Sequence, residues 1–356
     1  MLHRRLTPVV VVLLAASVCA LSPRLVTAAD YVANDTHFHL TNYVQEGIDV
    51  RKQLENMGDK VGRCTLFGIP LQQTWAYGNT GDFAPTYYLQ TDAPLYYYSF
   101  TDAYIAMQYR GLSKEQQARF DPMITGFNPA DMYAADHIRR VLTTFPGVFC
   151  GIGEFTIHKE FVSPKVAGET ASLVNPALDR IFDLCGEVGL VALMHNDIDM
   201  PFPKPNQEPY QIKQLGDLFR RHPKTTIIWA HCGLGRVVRP VPDQLAMIDK
   251  ALSDPTLSHV YIDISWDEVA KYLVANSETI KMTADLINRH PDRFLFGSDE
   301  VAPSDQAKYL KVYDMYAPLF AALTPEASRN LRMGNYERIF DAAKQRVRDW
   351  ERDNIH

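Results

Sequence analysis

Two histidines one residue apart, His37-Phe38-His39, close an apolar run early in the chain. Residues i and i+2 of a strand share a face, so both imidazoles can clasp one divalent ion. Alone, that pair is a weak signal. It gains weight from four further residues at the ends of later apolar runs: Glu154 in Gly151-Ile152-Gly153-Glu154, His195 in Leu193-Met194-His195-Asn196-Asp197, His231 in Trp229-Ala230-His231-Cys232-Gly233, and Asp299 in Phe296-Gly297-Ser298-Asp299. Ionisable groups gathered in an apolar interior must be paired or bound to metal. Imidazoles with carboxylates suit zinc first, with manganese, nickel or iron also compatible.

The elements that must position these groups form a regular series. Strand-like runs fall at Tyr31–Leu40, Arg63–Ile69, Met123–Asn128, Val148–Phe155, Leu190–Asn196, Thr225–Cys232, His259–Trp266 and Arg293–Asp299. Helical patterns such as Asn175–Val188, Tyr210–His222 and Ser277–His290 lie between them. Alternating strand and helix predicts parallel βαβ units, and eight of them predict an α/β fold: a single (β/α)8 TIM barrel, whose strand ends converge on one mouth. A doubly wound open sheet would place a glycine-rich phosphate turn after its first strand; here that strand ends in His-Phe-His. His222 and His290 each close a helix before a proline, where cations suit the C-terminus, and neither is counted as a ligand. An aromatic-rich insertion, Pro70–Pro122, follows the second strand and is expected over the mouth as a cap, a satellite core or an oligomer contact. Its Asp102–Phe120 part reads as helix.

The chain has 356 residues. Residues 1–29 read as a secretory signal: Arg4 and Arg5, an apolar run Val9–Ala20 too short to span a bilayer, then small residues at Ala28 and Ala29. The expected product is an exported protein, periplasmic or secreted, with one domain over 30–356 and no membrane span in the mature form. The net charge of −6 gives no basic field for nucleic acid. A small-molecule substrate is the expected partner, and self-association into a homo-oligomer is compatible. Of the 5 cysteines, Cys64, Cys150, Cys185 and Cys232 lie beyond the signal without metal or disulfide spacing, and read as buried thiols.

Taken together, HxH after strand one, His after strands five and six and Asp after strand eight resemble the amidohydrolase superfamily. The segment Trp229–Gly233 is similar to the "AHCG" element of the amidohydrolase-related branch, amidohydrolase family 2. Gly334-Asn335-Tyr336-Glu337-Arg338-Ile339-Phe340 is similar to its C-terminal "GNxxRxF" element. Glu154 resembles the strand-four glutamate of TatD-type and some phosphotriesterase-like members, where it bridges two metals. The resemblance implies one of two sites. In the first, His37, His39, His195 and Asp299 hold one ion and His231 polarises the substrate. In the second, His37, His39 and Asp299 hold one ion, His195 and His231 another, and Glu154 joins them. It implies a metal-dependent hydrolase of an amide, ester or lactone, with Asp299 shuttling the proton and His231 aiding the oxyanion. Arg236, with Arg239 close by, and Trp266 are candidates for substrate binding. The alternatives are a metal-dependent non-oxidative decarboxylase or hydratase of an aromatic or unsaturated acid, and a metal-carrying binding protein without turnover.

Overall fold

The computed structural model describes residues 31–42, 47–69, 100–159, 172–204 and 206–355, with two-residue strands at Thr74–Trp75, Leu89–Gln90, Lys165–Val166 and Glu169–Thr170. The secretory-signal expectation and most of Pro70–Pro122 fall outside the described residues. The rest is an eight-stranded parallel sheet in sequential order: β1 Ala33–Asp35, β2 Val61–Leu66, β3 Phe120–Ile124, β4 Gly151–His158, β5 Val191–Asn196, β6 Thr226–Trp229, β7 Val260–Asp263 and β8 Phe294–Leu295. The ring closes where the chain beyond β8 meets the chain beyond β1. The Thr36 amide donates to the Phe296 carbonyl (3.1 Å) and the Asp299 amide to the His37 carbonyl (2.7 Å). Glu300–Val301 then pairs in parallel with Phe38–His39. The molecule is a (β/α)8 barrel, as the alternation predicts.

Because such strands are covered on both faces, they read as unbroken apolar runs rather than alternating ones; Val191–Asn196 is buried at every position. The helices outside follow local chemistry. Pro176–Val188 starts with the Asn175 side chain accepting from the Ala177 amide, carries proline in its first turn, and stops at left-handed Gly189. Ser277–Arg289 starts with a capping box between Asn276 and Thr279. At the end of helix Ile212–Arg221 His222 lies 2.8 Å from Asp179, and at the end of Ser277–Arg289 His290 lies 2.6 Å from Asp249, which accounts for both histidines structurally.

Several predicted strands stop early. The first breaks between Asp35 and Phe38, because the Asp35 carboxylate accepts the His37 amide (3.0 Å) and turns the chain. The sixth ends at Trp229, and Ala230–Gly233 forms one tight turn in which His231 (φ 59°) and Cys232 (φ 55°) take left-handed backbone. The fourth runs further than its apolar stretch, to His158. The Asp102–Phe120 helix is two helices, Thr101–Arg110 and Lys114–Gln117, parted by Gly111.

Helix Asn335–Asn354 floors the barrel at the strand starts. Asn335 Nδ2 donates to the Phe294 carbonyl (2.8 Å), Lys344 Nζ to the Phe120 carbonyl (3.1 Å) and Arg348 Nη2 to the Phe149 carbonyl (2.8 Å). Just ahead of it, Arg332 Nε donates to the Val32 carbonyl. Tyr336, Ile339, Phe340 and Ala343 join Met123, Val191, Leu193, Ile228 and Leu295 in one buried cluster. All four cysteines of the described residues are buried free thiols.

Candidate metal centre at the barrel mouth

At the opposite end, the predicted ligands converge. His37 Nε2 and His39 Nε2 lie 3.2 and 3.1 Å from Asp299 Oδ1, and each lies 3.7 Å from Glu154 Oε2. The other Glu154 oxygen, Oε1, lies 2.7 Å from His195 Nδ1 and 3.3 Å from His231 Nε2. Two donor groups result, His37–His39–Glu154–Asp299 and Glu154–His195–His231, with the donor atoms of each within 4.8 Å of one another. Glu154 belongs to both.

The strand ends that carry these residues are shaped for the purpose. Asp35, fully buried, accepts from the Ser298 amide (2.8 Å), Ser298 Oγ (2.6 Å) and Tyr309 Oη (2.7 Å), which fastens the Asp299 loop to the His37 turn. Gly153, at φ 131°, has no room for a side chain: a Cβ there would lie 2.4 Å from the Leu193 carbonyl oxygen. That close approach brings Glu154 against His195 on the next strand. Non-glycine residues at positive φ cluster here too, at His231, Cys232, Trp266 (φ 88°) and Asp299 (φ 56°). Such strained positions gather where the surrounding structure dictates a side chain's aim.

The histidines and Glu154 are buried, His37 wholly and Glu154 7 % exposed, while Asp299 is partly exposed. Burial works against a charge on His37, but Asp299 and Glu154 outweigh it and raise its pKa well above the ordinary value. Burial also opposes ionisation of Glu154, yet Lys159, His195 and His37 hold its carboxyl well below the usual range. Burial lowers His231 and keeps that ring a neutral donor. Two anionic carboxylates beside imidazole nitrogens suit a divalent cation. His37 Nε2, buried and 3.2 Å from Asp299 Oδ1, makes no aligned hydrogen bond, the condition expected of a ligand atom.

Around the cluster lie residues that the sequence reading passed over. Asp197 Oδ1 is 3.0 Å from His195 Nε2, so His195 turns its Nδ1 inward. His39 Nδ1 lies 3.3 Å from the Gly68 carbonyl. Lys159 is almost fully buried, with Nζ 5.2 Å from the Trp266 ring centre. Because β4 runs on to His158, Lys159 reaches the site instead of a remote loop. Trp266 packs 5.1 Å from the His231 ring. Arg236 sits 5.7 Å from Trp266 and pairs with Glu268 at 3.1 Å, while Arg239 is exposed.

A (β/α)8 barrel with clustered histidines and carboxylates at the C-terminal strand ends defines a metal-dependent enzyme of the amidohydrolase type. The amidohydrolase family model matches residues 35–342, and the chain belongs to that family, in the branch called amidohydrolase family 2. No curated protein matches the sequence. Among solved structures, an amidohydrolase from Burkholderia multivorans with bound zinc is 13 % identical with a TM-score of 0.52, covering 87 % of this chain and 99 % of its own. A proposed 2-pyrone-4,6-dicarboxylic acid hydrolase from Pseudomonas putida is 13 % identical with a TM-score of 0.52, covering 87 % and 97 %. At that identity the likeness establishes the fold.

Proposed function

We propose that this enzyme hydrolyses an amide, ester or lactone at a two-ion centre bridged by Glu154. The observation that carries this reading is the orientation of Glu154: Oε2 faces His37 and His39, while Oε1 faces His195 and His231. The first ion would be held by His37, His39 and Asp299, the second by His195 and His231. When bound, a divalent metal, zinc by preference, supplies an acidified water and a Lewis-acid pull on the substrate carbonyl. Asp299 Oδ1 lies within 3.2 Å of both HxH imidazoles; its Oδ2 would take a proton from water and pass it to the leaving nitrogen or oxygen. His231, with Nε2 toward the second ion's place and Nδ1 toward Ser265 Oγ, would serve as a ligand, and the Lewis-acid pull of the ions would hold the carbonyl's developing charge. Trp266 forms an apolar wall, and Lys159 and Arg236 next to it suit a substrate bearing a carboxylate. The amino-terminal residues are consistent with an exported enzyme acting on a small molecule.

Metal analysis tests the centre. The wild type is expected to bind two equivalents of a divalent ion and Glu154→Gln about one. An unchanged metal count in the variant overturns the bridge, and a metal-free, fully active enzyme overturns the reading. Loaded enzyme is then screened against lactones, esters and N-acyl compounds in 18O-labelled water. Release of CO2 from an aromatic acid without label incorporation would replace the hydrolase with a decarboxylase.

A further inference from the structure

We propose that Asp263 and Ser265, at the end of β7, are positioning residues that set the tautomers of two ligand histidines at once, His37 beyond β1 and His231 beyond β6. The inference rests on the reading of the cluster as a metal centre. Asp263 Oδ1 accepts the Ser265 amide (2.8 Å), and Oδ2 lies 2.6 Å from Ser265 Oγ and 2.7 Å from His37 Nδ1. Ser265 Oγ is also 3.0 Å from His231 Nδ1 and 3.2 Å from His37 Nδ1. All four groups are fully buried.

Counting protons fixes the pattern. An ionised carboxylate only accepts, so both of its neighbours at Oδ2 must donate. The Ser265 hydroxyl therefore spends its single proton on Asp263, and His37 carries a proton on Nδ1. Ser265 Oγ then has only lone pairs to offer His231, whose Nδ1 must also be protonated. In the neutral form that a ligand histidine takes, each ring is then left with a bare Nε2. These are the atoms that face the carboxylates of the centre, at 3.2 Å from Asp299 for His37 and 3.3 Å from Glu154 for His231. His37, His231 and Asp263 also offer donor atoms close enough together to suggest an ion site of their own. The serine hydroxyl is within hydrogen-bond distance of all three, and so serves as the hub of that group in place of an ion. Partners behind metal-bound histidines orient the ring and raise its basicity, and their loss costs about 10–100-fold in metal affinity. One hydroxyl here governs a ligand from each of the two donor groups.

Three variants separate the parts. In Asp263→Asn the new amide meets a conflict in either orientation: its NH2 faces the Ser265 amide, or it faces His37 Nδ1 and forces that proton to Nε2. Ser265→Ala removes the acceptor for His231 and spares the His37–Asp263 bond. Ser265→Thr restores the hydroxyl. Zinc or cobalt affinity is measured by chelator competition, together with the melting temperature with and without metal. Imidazole 15N shifts are recorded on the metal-free proteins. The expected result is about 10–100-fold weaker affinity in Asp263→Asn, selective loss of one of two ions in Ser265→Ala, and rescue by Ser265→Thr. The metal-induced rise in melting temperature shrinks by more than any fall in the metal-free value. The wild-type 15N shifts report protonated Nδ1 on both rings. Wild-type affinity in both of the first two variants overturns the proposal, as does a loss of affinity matched by an equal loss of metal-free stability without rescue. If the wild type binds no divalent ion, the metal-centre reading itself fails. If it binds ions but the variants match it, only the positioning roles fail.

Discussion

Asp299 joins β8 to the histidines of β1 by its side chain and by its backbone, since its amide donates to the His37 carbonyl at 2.7 Å. Asp299→Asn keeps the shape and removes the base. Turnover is expected to fall by roughly 10²–10⁴-fold, the usual worth of a placed acid–base group, with circular dichroism unchanged; activity near wild type would remove Asp299 as the proton carrier. The ligand residues were legible in the sequence because each is a polar side chain at the end of an apolar run. The residues behind them were harder to find. Asp263 and Ser265 sit i, i+2 in Val260-Tyr261-Ile262-Asp263-Ile264-Ser265, the same-face spacing that exposed His37 and His39, but neither type by itself announces a metal. Lys159 was hidden because a carboxylate at position 154 made the apolar run seem to end there, although the strand continues.

At the scale of elements, helix Thr101–Arg110 is held to the chain beyond β3 by one buried carboxylate. Asp102 accepts from the amides of Thr125 and Gly126, both at 2.9 Å. Burial pushes its pKa up to about 6, the backbone bonds opposing only in part. A folded pKa above the unfolded value near 3.8 means that the folded state takes up the proton first. Its contribution to stability is fully present below about pH 4 and is lost as pH rises through 6. The stability difference between wild type and Asp102→Asn should therefore shift in favour of the wild type on going from pH 7 to pH 4, by up to ~3 kcal/mol. Urea unfolding at a series of pH values reads this directly, and a pH-independent difference would refute it. Strand order and helix order were readable from apolar periodicity. Strand ends were not, because hydrogen bonds such as Asp35 to the His37 amide decide them, and those depend on partners far along the chain.

At the scale of the whole molecule, catalytic mouth and structural floor lie at opposite ends of one barrel. Asp121 on β3, fully buried, anchors the floor through Arg63 (2.9 Å), Lys344 (2.7 Å) and Tyr336 Oη (2.6 Å). Phe340, wholly buried in the cluster below the strands, is expected to cost about 3–5 kcal/mol when cut to alanine. Metal content per folded molecule should stay unchanged, since the residue sits far from the ligands; a loss of metal without loss of stability would contradict this division. The floor was legible only as the Gly334–Phe340 resemblance, since helical periodicity does not say which end of a barrel a helix covers.

That floor also has a consequence for the order of events in biosynthesis. The helix that bonds to the starts of β3, β4 and β8, with Arg332 just ahead of it bonding at β1, leaves the ribosome after every strand it must cap. Until Asn335–Asn354 has emerged, the lower core lacks Tyr336, Ile339, Phe340 and Ala343, and the nascent barrel exposes apolar surface at its base. Completion of the fold therefore waits until this helix has emerged, and a chaperone that holds the unfinished chain would bind at the end remote from the candidate metal centre.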